Sequence, residues 1–384
     1  MIVKKLSNAI DVKKHLQELG VDGGGVQILT DKAKTHIIYI EDLNVGAANI
    51  LKQDALSIGA DLAVPRGTVL ATTPKVNAIL IATTAQLKTL AKKELSQPFG
   101  LKGLAAILKE YSKIKKPSEV EVMGVINAND DSFFSESRFE KDEAIIQIQK
   151  MMEDGATIID IGGVSSRPNS TPVSADEELS RVKPIIDVIN EKELHQQVKF
   201  SIDSYEPSVI EYALKSGFSI VNDITGLIDD EVCKVCAKYN ATVVIMHMQG
   251  NPQTMQDNPQ YDNILTDIYS FFEDRIEKAD SFGIKNIILD VGIGFGKSLE
   301  DNLLLIKHLE NFSLLGKKLL VGASRKSMID AISSSLIKDR LPGTLAIHLE
   351  SVRNGASILR VHDVAEHIQA LRLQSALDEI TLKA

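Results

Sequence analysis

From about residue 120 onward the chain alternates between two patterns. Short, nearly continuous apolar runs rich in β-branched residues recur at 122–127 (VMGVIN), 157–162 (TIIDIG), 200–204 (FSIDS), 219–223 (SIVND), 242–248 (TVVIMHM), 286–291 (NIILDV), 318–323 (KLLVGA) and 358–363 (ILRVHD). Between them lie stretches with helical spacing. In 207–216, for example, Val209, Ile210, Ala213 and Leu214 share one face and Gly217 supplies a stop. Uninterrupted apolar runs suit strands buried on both faces. Eight such runs, each followed by a helix, predict an α/β fold of the (β/α)8 TIM-barrel type. A doubly wound open sheet is the alternative, but it rarely needs eight strands of this kind and usually shows a Gly-rich first turn.

Upstream the pattern is shorter and mixed. It predicts strands at 33–40 and 76–82 and helices at 47–57 and 85–95, a small α/β domain preceding the barrel. The polar, proline-bearing stretch 111–119 (YSKIKKPSE) is the seam, giving domains at 1–118 and 119–384. Gly23-Gly24-Gly25 has no following Lys-Ser/Thr and reads as a turn rather than a phosphate loop.

Composition narrows the classes. The 384 residues are 44% hydrophobic and 25% charged, which is ordinary globular usage. No apolar run approaches the roughly 20 residues of a membrane span, and no apolar core follows the N-terminal lysines as in a secretory signal. Two cysteines cannot form a disulfide scaffold, so the expected setting is the reducing cytoplasm. The net charge of −9 is uneven: residues 1–120 carry 17 Lys and Arg against 11 Asp and Glu. These lysines are scattered without interleaved aromatics, so solvated helix faces are favoured over a nucleic-acid surface.

In a barrel of this type the site gathers at the C-terminal ends of the strands. Each predicted strand delivers polar groups there: Asn127; Asp160; Asp203; Asn222 and Asp223; His247; Asp290 with the loop Gly292-Ile-Gly-Phe-Gly-Lys297; Ser324-Arg325-Lys326-Ser327; and Arg360 with His362. A full ring of such groups is not needed for stability alone. Acids and amides dominate the ends of strands two, three, four and six, and cations those of seven and eight. One side therefore suits a nitrogen heterocycle, the other an anion such as phosphate.

These segments, in order and at this spacing, resemble the dihydropteroate synthase family: MGVINANDDSF, IDIGGVSSRP, IDSY, IVND, LDVGIGFGK, SRKS and RVHDV. The resemblance covers the chain from about residue 120 and implies condensation of 6-hydroxymethyl-7,8-dihydropterin pyrophosphate with p-aminobenzoate. It implies that Asp203, Asn222, Asp290 and Lys326 bind the pterin ring, and that Asn127, Arg360 and His362 hold the pyrophosphate with Mg²⁺ beside Asn127. Ser327, with Ser166, Arg167, Pro168 and Phe133, would form the p-aminobenzoate pocket. Lys326, Arg360, His362 and Asp203 would be the catalytic groups, sulfonamides would compete at the arylamine pocket, and the chain would form a homodimer. The sequence departs from the family in its loops. Asn129-Asp130 replaces the usual Thr-Pro, Val164 the Glu, Ser166 the Thr, and Val291 the Pro of Asp-Pro-Gly.

Other readings stand beside these. Asp203 could cap a helix started by Pro207. Asp160 could support the rim without touching ligand, and His247 could be a polar strand end. Cys233 and Cys236 form a C-x-x-C on a predicted helix, with no second pair or nearby His, so packing is favoured over zinc or redox chemistry. A pterin-binding methyltransferase domain, or a homologue that binds pterin without turnover, is the competing functional class.

Overall fold

The computed structural model describes residues 1–8, 10–115, 117, 119–128, 138–164, 173–250, 254–255 and 258–381. The chain divides into two compact units, Met1–Lys115 with Gln374–Ala384, and Lys116–Leu373. The C-terminal eleven residues thus group with the first unit, whereas the sequence reading ran the second unit to residue 384.

In the first unit, helices α1 (Val12–Glu18) and α2 (Gly23–Ala33) precede strand β1 (Thr35–Asn44), followed by α3 (Val45–Ser57), β2 (Asp61–Ala63), β3 (Lys75–Thr83), α4 (Thr84–Glu94) and α5 (Leu101–Tyr111). The three strands form an antiparallel sheet in the order β1-β3-β2. Along β3 every second residue, Val76, Ala78, Leu80 and Ala82, is buried, so one sheet face joins a core with Leu51, Leu87, Leu90, Leu101 and Leu108. A capping box of Thr83 and Gln86 starts α4 where the strand pattern stops. Gly23, Gly24 and Gly25 open α2 instead of forming a turn, because the Asp22 carboxylate accepts the Gly24 N–H at 3.0 Å and caps that end.

The second unit is a closed barrel of eight parallel strands. They are β4 (Glu121–Asn127), β5 (Ile158–Gly162), β6 (Lys199–Asp203), β7 (Ile220–Asp223), β8 (Thr242–Met246), β9 (Asn286–Asp290), β10 (Lys318–Val321) and β11 (Ile358–Val361). Helices α6 (Arg138–Asp154), α7 (Ala175–Glu191), α8 (Pro207–Lys215), α9 (Asp230–Lys238), α10 (Ile264–Ser281) and α11 (Leu299–Lys307) fill the first six connections. Two helices, α12 (Ser327–Ile332) and α13 (Leu341–Arg353), fill the seventh, and α14 (Val364–Glu379) follows β11. Among the described residues no helix is long and apolar enough to cross a membrane.

Strand alternation splits the barrel into two cores. Outward residues such as Ile159, Ile161, Phe200, Ile202, Val243 and Leu289 pack under the helices with Phe272 and Phe312. Inward residues Met123, Ile158, Ile220, Val244, Ile288, Leu320 and Ile358 meet as a buried plug that floors the lumen. Every residue of these two clusters lies at or beyond Val122. Removing residues 1–118 is therefore expected to leave a barrel that melts in one cooperative transition, read by circular dichroism. A truncated chain with no melting transition would contradict this.

Candidate active site

The polar groups of the lumen follow from the strand period. Two residues beyond the apolar floor come Asp160 from Ile158, Asn222 from Ile220, Met246 from Val244, Asp290 from Ile288 and Arg360 from Ile358, all inward. On β6 the same parity gives Ser201 and Asp203, with Asp203 in register with Asn222. Arg360 spans the lumen: its Nε donates to Asp160 Oδ2 at 2.7 Å and a terminal nitrogen to Asp203 Oδ2 at 2.6 Å. Asn222 Nδ2 donates to the same Asp160 oxygen at 3.2 Å. The other oxygen of Asp160 is buried and has no partner among the described residues.

This assembly is electrostatically loaded. Burial raises Asp203 to about 7, with Arg360 working against the rise and Asp160 adding to it. Burial also raises Asp290, opposed by the Gly292 N–H that donates to its Oδ1 at 2.8 Å and by Lys326 and Arg360. Burial disfavours the charge on Arg360, but Asp160 and Asp203 more than offset it and the guanidinium stays ionised. A ring with several N–H groups would relieve the acid-rich side of this lumen. Asp203 does not cap α8, whose N-cap is Glu206 without a side-chain bond.

The loop at 292–297 is shaped by close approach. Gly292 has φ +68°, and a Cβ there would stand 2.0 Å from the His247 carbonyl oxygen, so no other residue fits. Lys297 is buried, and among the described residues no carboxylate lies within hydrogen-bond reach of it. Its Nζ donates to His247 Nδ1 at 3.0 Å, His247 O at 3.2 Å and Phe295 O at 2.9 Å. Burial lowers Lys297 to about 7 and His247 to about 3, so the imidazole is neutral and accepts. The Phe295 ring of this loop packs with Ile224, Met246 and Met255, and its centroid lies 4.1 Å from Lys326 Nζ.

The cationic side is built from β10 and β11. Lys326 is the N-cap of α12, and Ser327, its first residue, is exposed. Ser324 Oγ lies 2.9 Å from His362 Nδ1. The enclosing protein, then Arg360 and Arg325, lower His362 to about 4 although the residue is exposed. Arg325 is turned away and forms a two-point pair with Asp363.

Of the residues singled out from sequence, the structure brings Asp203, Asn222, Asp290, Lys326 and Arg360 around one lumen. Asn127 ends β4 beside Gly162, on the same rim. Phe133, Ser166, Arg167 and Pro168 lie outside the described residues. Asp160 is the central acceptor of the cluster; strand parity discloses that it faces the lumen, but not that it meets Arg360. Lys297 and Phe295 enter the sequence reading only as members of the loop after the sixth barrel strand, with no role of their own. Asp223 is spent on the turn after β7, accepting from Thr225 and Leu227 backbone N–H groups. Cys233 and Cys236 are buried on α9, and burial raises both thiols, Cys236 to about 12, which leaves them packed rather than reactive.

The chain matches the family model of pterin binding enzymes over residues 123–362. It is 42% identical over 379 residues, 99% of this chain and 100% of the other, to the bifunctional dihydropteroate synthase/dihydropteroate reductase of Helicobacter pylori. It is 41% identical over 259 residues, 67% of this chain and 93% of the other, to the dihydropteroate synthase of Haemophilus influenzae. Among solved structures, the Yersinia pestis dihydropteroate synthase in a sulfonamide drug complex superposes with a TM-score of 0.64 at 38% identity, covering 68% of this chain and 94% of that one. The Clostridium difficile dihydropteroate synthase, crystallised in the presence of pteroic acid, gives 0.64 at 39% identity over 70% and 100% of the two chains.

One acid at this rim tests the electrostatics. Glu178 at the start of α7 is buried with Oε1 unpartnered among the described residues. Burial raises it to about 7, against a Ser204 hydrogen bond and with help from Glu206. A carboxyl held above its unfolded value near 4.5 costs stability as it ionises, so stability falls as pH rises through that interval. Glu178→Gln should flatten this fall in urea titrations at about pH 5 and about pH 8. An unchanged slope would count against the assignment.

Proposed function

The chain belongs to the pterin-binding enzyme family, and we propose residue roles for its reaction from the lumen just described. The activity is that of a dihydropteroate synthase: 6-hydroxymethyl-7,8-dihydropterin pyrophosphate condenses with p-aminobenzoate to give 7,8-dihydropteroate and pyrophosphate, a step of folate biosynthesis. The observation that carries the roles is Arg360, held between Asp160 and Asp203 in a lumen that also presents Asn222 and Asp290.

Asp203, Asn222, Asp290 and Lys326 bind the pterin. Asn222 Nδ2 is engaged by Asp160 and Asp290 Oδ1 by Gly292, which leaves the side-chain amide oxygen Oδ1 of Asn222 and Asp290 Oδ2 as acceptors for ring N–H groups. The ring competes with Arg360 for Asp203, so seating it turns the guanidinium toward the diphosphate. Breaking the methylene C–O bond leaves positive charge on the dihydropterin, stabilised by Asp160, Asp203 and Asp290, while the bond electrons depart with the diphosphate. The arylamine nitrogen, a neutral nucleophile, forms the C–N bond and releases a proton to solvent.

Arg360 and His362 receive the leaving charge. Ser324 Oγ accepts the His362 backbone N–H at 3.4 Å and lies 2.9 Å from Nδ1; donating its proton there would leave the ring proton on Nε2 as a donor for phosphate oxygen. Ser327, with Ser166, Arg167, Pro168 and Phe133 from the loops, serves p-aminobenzoate. Among the described residues no group of three or more His, Cys, Asp or Glu could hold a metal. A single amide, Asn127, fits Mg²⁺ carried in on the diphosphate, because that ion keeps waters and phosphate oxygens as most of its ligands. Bound there, it would neutralise diphosphate charge. The cytoplasm is the proposed location and the two small-molecule substrates the partners. A homodimer is proposed because an open groove of about 550 Å³ on the outer wall between α11 and α13 exposes Leu303 and Leu304.

A second reading concerns the first unit. The Helicobacter pylori relative is also named a dihydropteroate reductase and matches 99% of this chain, whereas the Haemophilus influenzae synthase matches 67%. That difference in extent favours a second reaction, reduction of the dihydropteroate product by a hydride donor. With reduced nicotinamide supplied, the full chain is expected to form tetrahydropteroate and residues 119–384 alone are not; equal rates, or none, would remove this reading.

For the synthase itself, Lys326→Ala and Arg360→Lys are expected to lower kcat at least about a hundredfold with a retained melting transition. Arg360→Lys keeps the charge but cannot reach two carboxylates at once. Steady-state pyrophosphate release with both substrates measures this, and normal rates in either variant would reject the roles.

A further inference from the structure

The loop that carries Lys326 and Ser327 leaves β10 through Ala323 and turns at Arg325. Arg325 has φ +56°, a left-handed conformation that a residue with a side chain adopts only when something holds it there. What holds it is one face of α13. Thr344 Oγ1 accepts the Arg325 N–H at 2.9 Å, the Arg340 guanidinium donates to the Arg325 carbonyl at 3.1 Å, and His348 Nε2 accepts the Ala323 N–H at 3.1 Å. Arg340, Thr344 and His348 are spaced by four residues, so they stand in one row along the helix. Thr344 is tied into that row by donating its hydroxyl proton to the Arg340 carbonyl at 3.0 Å.

The bonds continue from His348 into a closed circuit. Since His348 Nε2 accepts, its proton sits on Nδ1 and is donated to His367 Nε2 at 2.8 Å. His367 Nδ1 therefore carries its proton and donates to the Asp363 carbonyl at 2.6 Å. The Asp363 carboxylate receives the Arg325 side chain, Nε at 3.1 Å, so the path that left the loop at Ala323 rejoins it at Arg325. Thr344 and His348 are fully buried and His367 nearly so. Each imidazole accepts once and donates once, so both are neutral and neither has a proton to spare for chemistry. Burial first, and then His367, hold His348 down to about 3, in keeping with that state.

We propose that Arg340, Thr344, His348 and His367 are positioning residues for the condensation. They fix the backbone of the loop 323–327, so that Lys326 stays over the Phe295 ring and Ser327 stays at the mouth, and they touch neither substrate. This rests on the reading that Lys326 and Ser327 serve the pterin and the arylamine. A helix needed only for packing would meet the loop through apolar side chains. Here polar side chains of α13 and its N-cap residue meet three polar atoms of the loop backbone, Ala323 N, Arg325 N and Arg325 O, around a left-handed residue immediately before Lys326.

Thr344→Val is the discriminating variant, because it keeps shape and removes only the hydroxyl. The Arg325 N–H then loses its acceptor and the left-handed turn loses its anchor. kcat/KM for p-aminobenzoate should fall about tenfold, with the melting temperature close to that of the unaltered chain, and Thr344→Ser should restore the rate to within about twofold. An unchanged kcat/KM in Thr344→Val overturns the proposal. So does a loss that Thr344→Ser fails to restore, or one that follows a fall in melting temperature. If the unaltered chain does not turn over the two substrates, the functional reading itself falls and the proposal with it. If it does, and Thr344→Val matches it, only the positioning role is lost.

Discussion

Arg360 reaches across the barrel lumen to Asp160 and Asp203, and the cost of burying those three charges is bearable only because they are buried together. Each alone would lose hydration worth several kcal/mol with nothing in return. Together they satisfy one another's strongest bonds, and Asn222 adds a fourth partner. The arrangement is incomplete, since one Asp160 oxygen remains unpartnered among the described residues and burial holds Asp203 near 7. Unmet polar capacity of this kind is a poor way to stabilise a barrel and a good way to recognise a donor-rich ring. The apolar floor beneath makes both possible, because it keeps the polar layer out of reach of water from below.

The rim divides by charge, and the division has a structural counterpart. On the acid side, Asp223 shapes its own turn through backbone N–H groups. On the cationic side, His362 is neutral, and the guanidinium of Arg325 is turned onto Asp363. Lys326, and Arg360 paired with Asp160 and Asp203, are thus the cations that bear on the lumen, and both, with Lys297, pull Asp290 back toward ionisation. Concentrating charge on two side chains, rather than on every basic residue near the mouth, is what lets one lumen host both a ring and an anion.

Much of this was legible in the sequence because strand parity is strict. Eight apolar runs predicted the eight barrel strands, and reading the residues at their ends gave Asp203, Asn222, Asp290, Lys326 and Arg360 as neighbours. The pairing of Arg360 with Asp160 was not legible: the two are 200 residues apart, and only closure of β11 onto β4 brings them across the lumen. Lys297 was hidden for a different reason. Its partners are a ring nitrogen and two carbonyls, and a buried lysine without a carboxylate has no sequence signature. In the first unit, β2 is three residues long and shows no period, and α2 begins on glycines that local chemistry would assign to a turn. There the Asp22 cap outweighed the weak propensity of glycine at positions where the helix has yet to need side chains.

Two loops at the mouth meet the same demand by opposite means. Each must turn sharply after a strand and hold a functional side chain in place. After β9, the turn uses glycine, and a carbonyl oxygen fills the space a Cβ would need, with Lys297 pinning the loop from inside. After β10, the turn uses Arg325, whose side chain resists that conformation, and the row of polar groups on α13 pins it from outside. The glycine solution is self-contained but carries no side chain at the turn. The arginine solution needs a second element, yet it leaves a guanidinium free to bind Asp363 and join β10 to the loop after β11. Lys326 stands where the two solutions meet, its ammonium over the Phe295 ring of the first loop and its backbone next to Arg325 of the second. Its position is therefore set from both sides of the mouth, and an error in either loop would reach the same atom.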